Sequence, residues 1–163
     1  MRPETAQSAT GPQVTAPFDA GSLFLASARR FGDRVALRDR NATLTYAGLL
    51  KRASSRLAAG LAALGVAPGE RVLLLPNGAR FIESWWAVVL AGAVVVPVNP
   101  GAAPEELPFY AQDSGARCAI LGAGHLALMQ GLRSLPQILV CADAPSAGAA
   151  IVSRRILDCA RGL

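Results

Sequence analysis

A single lysine, Lys51, a single histidine, His125, and three cysteines in 163 residues leave little of the chemistry on which most active sites depend. Cys118, Cys141 and Cys159 lie too far apart for a metal knuckle, and their odd number argues against a closed disulfide framework. They read as reduced, buried, small apolar residues. His125, at an expected helix start with no nucleophile at hand, reads as a cap-region or partly exposed residue rather than a general base. No apolar run reaches the about 18 to 20 residues of a membrane span. The longest, Trp85 to Val98, covers 14 residues and contains Gly92 and Pro97. The polar start, Arg2 to Gln13, lacks the apolar core of a secretory signal, so the expected compartment is the cytoplasm. Basic tracts longer than a pair are also missing. The net charge of +5 comes from 15 arginines and Lys51, scattered from Arg2 to Arg161 without the basic face and stacking aromatics that nucleic acid requires. No nucleic-acid partner is expected.

What the chain has in abundance is apolar surface, 52% of its residues, in a length that suits one domain or one subdomain of something larger. Residues 1–17, rich in Pro, Thr, Ala and Gln, read as a disordered lead-in. From Ser22 the pattern changes: Phe24, Ala28 and Phe31 stand at helical spacing before Gly32, and Val35 and Leu37 then alternate with polar neighbours as a strand. Asp39, Arg40 and Asn41 make a turn into a second short strand ending at Leu44. Thr45 is an N-cap, followed by the stripe Leu50, Ala53, Leu57, Leu61 and Leu64.

Pro68 and Gly69 turn the chain into a buried strand, Arg71 to Leu75, which Pro76 and Asn77 break. Arg80 to Ala91 reads as a largely buried helix, and Gly92 ends it before a β-branched, buried strand, Val94 to Val98. Pro104, Glu105 and Glu106 open another helix, although Pro108 requires it to begin later or to bend. Gly115 closes that helix, with Asp113 and Ser114 as its end. Cys118 to Leu121 is a strand, Leu126 to Leu132 a helix and Ile138 to Cys141 a last strand. Such alternation predicts an α/β fold with a mainly parallel sheet and helices on both faces, over residues 18–141. Residues 142–163 read as a linker and a weak segment, Ile151 to Leu157.

Five blocks occur in order: Leu44-Thr45-Tyr46, Leu64 to Val72 around Pro68 and Gly69, Leu75-Pro76-Asn77, Ala91 to Pro100 with Gly92, Pro97, Asn99 and Pro100, and Asp113 to Ala116. Together they resemble the amino-terminal region of AMP-dependent synthetases and ligases, the adenylate-forming enzymes that include acyl-CoA synthetases. The resemblance covers about Ser22 to Val140. It implies an acid-activating reaction using ATP, magnesium and coenzyme A in the complete enzyme. Physically each block is scaffold, and none supplies a nucleophile or base. In similar enzymes the phosphate loop, the acidic residue near magnesium, the ribose-binding aspartate and the late catalytic lysine follow the point where this sequence ends. The chain is therefore expected to be inactive by itself, a fragment that leaves apolar sheet uncovered and associates with the remainder of the synthetase or with its own copies. Similar sequences often carry Glu at Gly48, and a basic residue at Leu90 or Gly101, which places a coenzyme A phosphate contact there in doubt.

Two other readings compete. Gly122-Ala123-Gly124-His125-Leu126-Ala127 matches G-x-G-x-x-A between a strand and a helix, with Asp143 placed as a ribose-binding acid would be, so a nicotinamide dinucleotide unit is an alternative. A non-catalytic module docking on a full-length synthetase is the other. Lys51 reads as a solvated charge. Trp85 and Trp86 could line an acyl tunnel, but their spacing on an apolar helix favours core packing.

Overall fold

The computed structural model describes residues 19–40, 42–99, 101–122, 138–141 and 150–153. The expected lead-in, the helix Leu126 to Leu132, Pro100, Gly124, His125 and Asp143 lie outside these residues. Helix α1 (Ala20–Arg30) starts at Asp19, whose carboxylate accepts from the Ser22 amide at 2.8 Å and the Ser22 hydroxyl at 2.6 Å. These bonds hold the Asp19 carboxyl below the usual carboxylate range. Strands β1 (Val35–Arg38) and β2 (Thr43–Thr45) form an antiparallel hairpin. Thr45 then caps α2 (Tyr46–Arg52), its hydroxyl accepting from the Gly48 amide at 3.1 Å. The cap stands without the reciprocal carboxylate that a glutamate at position 48 would add.

The helix continues through a π-helical segment, Ala53–Ala58, into α3 (Ala59–Ala63). This segment departs from the single stripe expected from the sequence. A wide turn closed by i→i+5 bonds takes up more residues, so Leu49, Ala53 and Leu61 are buried while Leu50, Leu57 and Leu64 are half-buried.

The second sheet has the order β4-β3-β5-β6-β7, from β3 (Arg71–Leu74), β4 (Val94–Pro97), β5 (Cys118–Leu121), β6 (Ile138–Cys141) and β7 (Ala150–Ser153). The first four are mutually parallel, and β7 runs antiparallel to β6. The sheet thus extends into the segment expected to be weak. Helix α4 (Gly78–Leu90) joins β3 to β4, and α5 (Glu106–Ser114) carries the chain back past β3 to β5. Because right-handed crossovers in opposite directions put their helices on opposite sides, the sheet is covered on both faces. Val72 and Leu74 face α3 and α4 with Leu61, Val88 and Ile120, whereas Leu73 and Leu75 face α5 with Leu107, Ala111 and Leu121. A third cluster joins α1, the hairpin and α2 to α4, where Phe24 stacks on Trp86 with centroids 4.1 Å apart.

Strand β4 corrects one expectation. It is the edge strand, with Val95 and Val96 half-buried and Val94 47% exposed, not a fully buried strand. Pro97 is compatible with this place because an edge strand has one side that needs no ladder donors. Pro108 is resolved as well. The helix begins at Glu106, so proline occupies the third position of its first turn, where no intrahelical donor is required. Gly115 ends the helix in the left-handed region at φ +64°.

Glu83, 6% exposed on α4, accepts from Arg80 of the same helix at 2.9 Å and from Arg52 at 3.0 Å, and the second bond ties α2 to α4. Cys118 is buried and free, as expected, and burial, with the Glu70 carboxylate adding less, pushes its thiol up to about 12. A pKa raised on folding stabilises fully below the ordinary thiol value of about 8.5, and the contribution is lost as pH rises from there toward 12. At pH 8, iodoacetamide should label the native Cys118 peptide far more slowly than the urea-unfolded one, read by mass spectrometry. Equal labelling would show that the thiol is open to solvent.

Candidate functional site

In an open parallel sheet, ligands bind beyond the carboxyl ends of the strands, where the strand order reverses. Here β4 and β5 flank β3, so that point lies where β3 and β5 end. The ladder runs slightly past β3 and β4: the Leu75 amide donates to the Ile120 carbonyl at 2.9 Å, and the Val98 amide donates to the Leu74 carbonyl at 3.0 Å. Pro76, buried, stops β3, and exposed Asn77 opens α4. On the neighbouring strand Pro97 precedes exposed Asn99, whose side-chain oxygen accepts from the Gly101 amide at 2.9 Å. Gly122, buried, follows β5 directly.

Pro76, Asn77, Pro97 and Asn99 are thus brought to one edge. Pro68, Gly69 and Gly92 are brought together at the other. There the Gly69 amide donates to the Gly92 carbonyl at 2.9 Å, and a Cβ on Gly92, at φ +75°, would lie 3.3 Å from the Pro68 Cβ. Close approach and backbone sign explain the glycine at position 92. Thr45 and Tyr46 belong to neither edge: the first caps α2, and the second packs in the third cluster with its ring 6.4 Å from Phe31.

The residue that the sequence reading missed at this site is Asp39. Its Oδ2 accepts from the Ala79 amide at 2.6 Å and its Oδ1 from the Ala42 amide at 2.7 Å. Asn77 holds the cap position of α4 but makes no capping bond, so the β1–β2 turn caps the helix from 40 residues away. Gly78 at φ +59° makes room, because a Cβ there would lie 2.9 Å from that carboxylate oxygen. The only local sign was an Asp in a turn, which the turn itself already explained.

This arrangement does not suit a triphosphate. A helix N-terminus attracts anions, but that of α4 already holds a carboxylate. Lys51 is exposed on α2, and the described residues include no group of three His, Cys, Asp or Glu placed to hold a metal. Leu90 is half-buried in the third cluster and Gly101 lies in the Asn99 turn, so neither position offers a base to a phosphate. Trp85 packs against Phe81 and the first cluster, and Trp86 against Phe24, which is the core role. In the dinucleotide alternative, β5 is the third parallel strand in chain order rather than the first, where that fingerprint normally belongs. Among the described residues no helix is long and apolar enough to cross a membrane.

Fold and edge define a doubly wound α/β scaffold that gathers Pro76, Asn77, Pro97 and Asn99 at the carboxyl ends of its parallel strands. Comparison with known proteins gives the family. The model of the AMP-binding enzyme family matches residues 24–157, and this chain belongs to that family of adenylate-forming ligases. The 4-coumarate-CoA ligase 1 of Narcissus pseudonarcissus is 38% identical over 118 residues, 71% of this chain and 21% of that protein. A salicyl-AMP ligase / salicyl-S-ArCP synthetase of Mycobacterium tuberculosis is 44% identical over 96 residues, 55% of this chain and 17% of that one. Among solved structures, MbtA of Mycobacterium smegmatis superposes with a TM-score of 0.68 at 31% identity, over 82% of this chain and 28% of that chain. The chain therefore spans about a fifth of the length of the curated relatives it matches.

Proposed function

We propose that this chain forms the amino-terminal scaffold of an acid-activating ligase. In that reaction a carboxylate oxygen attacks the α-phosphorus of ATP and pyrophosphate leaves. A thiol, commonly that of coenzyme A, then attacks the acyl carbon and AMP leaves. The match of the family model across nearly all described residues carries this reading. Two of the relatives are named for 4-coumarate and for salicyl, which supports a carboxylic acid as the substrate without selecting one.

The scaffold's part is positional. In such ligases a loop of Ser, Thr and Gly with a lysine holds the triphosphate, and this sequence does not contain one. The 163-residue chain should therefore show no acid-dependent ATP–pyrophosphate exchange with acetate, medium-chain, long-chain or aromatic acids. A chimera in which it replaces the matching 118 residues of the Narcissus ligase should recover exchange that the truncated ligase lacks. Turnover by the chain alone, above a mock preparation, would overturn the scaffold reading. A soluble, folded chimera with no exchange would count against the family role of these residues.

A further inference from the structure

Charge is spread unevenly along this basic chain. Between Arg80 and Arg117 there is no lysine, arginine or histidine, and the acids of that stretch are Glu83, Glu105, Glu106 and Asp113. Glu83 is engaged by two arginines. The other three belong to α5 or its cap position, and none of them joins an ion pair or accepts a hydrogen bond at its carboxylate. Positions 105, 106, 109, 112 and 113 recur every three or four residues, so they share one side of the helix, turned away from the buried Leu107 and Ala111. All five are exposed. In their midst stands Phe109, at 63% the most exposed large apolar side chain among the described residues, with its ring 5.9 Å from that of Tyr110. Asp113 lies in the last turn, where the helix dipole disfavours an anion and where α5 has no basic residue. Two cations near that end are already held, Arg71 by the Ser114 carbonyl and Arg117 by Glu70.

The sheet brings a basic segment to the same end. Strand β7 runs antiparallel to β6 and sets Ser153 beside Ile138, which in turn lies beside Cys118, the first residue of β5. Helix α5 delivers the chain to Cys118 through residues 115–117. The chain therefore leaves β7 two strand spacings, about 10 Å, from the strand that α5 feeds. The ten residues that follow Ser153 include Arg154, Arg155 and Arg161, one acid, Asp158, and the aliphatic Ile156, Leu157 and Leu163. They lie outside the described residues.

We propose that residues 154–163 dock along the outward side of α5, antiparallel to the helix. Arg154 and Arg155 meet Asp113, Ile156 and Leu157 cover Phe109, and Arg161 reaches Glu105 and Glu106. The lengths agree: Asp113 to Glu106 is about 10 Å of helix, and Arg155 to Arg161 spans about 9 Å wound or about 20 Å extended. Three arginines face three free carboxylates. Covering Phe109 adds the apolar contact that isolated surface ion pairs lack. A segment on the same chain also meets this face at a millimolar effective concentration, which a second copy at micromolar concentration does not match.

A disulfide tests the placement. Gln112→Cys puts a thiol on this side of α5, with the native Cys159 as its partner in the segment, and Lys51→Cys, exposed on α2, is the control. On mild oxidation at micromolar protein, the introduced thiol should join Cys159 within one chain at least about ten-fold faster in Q112C than in K51C, read by peptide mass mapping and non-reducing gels. About 0.5 M salt should reduce this advantage, because screening then acts over a few ångströms. R154E/R155E in the Q112C chain should remove most of it, and adding D113R should return it, since opposite charges again meet. Circular dichroism establishes that the variants are folded. Equal rates at the two positions, a Q112C disulfide found only between two chains, or no recovery on the charge swap would each overturn the assignment.

Discussion

Replacing Leu74 by alanine should lower the free energy of unfolding by about 3 to 5 kcal/mol. Leu74 is on β3, the strand flanked by β4 and β5, and is 0% exposed. Its side chain is held among Leu61, Val72, Val88 and Ile120, contributed by α3, β3 itself, α4 and the neighbouring β5. Truncation removes the transfer free energy of three carbons and leaves a cavity that a hydrogen-bonded sheet cannot close by moving. Leu73→Ala should cost a similar amount on the opposite face, where Leu75, Leu107 and Leu121 form the other cluster. With total stabilities of about 5 to 15 kcal/mol, either change removes a large share of what a domain has. The measurement is the urea midpoint at unchanged slope. A loss below about 1 kcal/mol for one variant would mean that its face of the sheet is not packed as described.

Asp39→Ala should cost about 2 to 3 kcal/mol, which is more than an ordinary surface turn residue would. Two backbone amides lose a charged acceptor, at 2.6 and 2.7 Å, and the Ala79 amide belongs to a buried residue. The helix also loses a negative charge at its positive end. Asp39→Asn, with a single side-chain oxygen, can keep one of the two bonds, so it should recover part of the loss. Hydrogen exchange gives the local readout: the first-turn amides of α4 should lose protection in Asp39→Ala before the centre of β3 does. If alanine and asparagine both prove neutral in urea, the cap across 40 residues contributes nothing and α4 starts on Asn77 alone.

Much of the fold was legible because its signals are local. Thr45 before an apolar stripe, Pro68-Gly69 before a short apolar run, and Gly115 after a helix each act over one turn of chain, and each appears where expected. Of the candidate site, Pro76, Asn77, Pro97 and Asn99 were visible as breaks, but not as neighbours on one edge. Strand β4 looked buried because Val94 to Val96 have the composition of a central strand. Its place at the edge depends on which strand pairs outside it, which composition does not encode. The π-helical turn was hidden for a similar reason, since its segment packs against α4 and no breaker in the sequence marks it.

The amino-acid sequence by itself determined the alternation of strands and helices, their caps and turns, and membership in a family whose blocks are read in order. Tertiary structure alone decided that β3 lies between β4 and β5 and that Asp39 closes the start of α4. The physical reason is distance along the chain. Caps and turns are settled by side chains a few residues apart, whereas sheet order and a borrowed cap arise only when segments tens of residues apart are brought together by burial of the apolar faces between them.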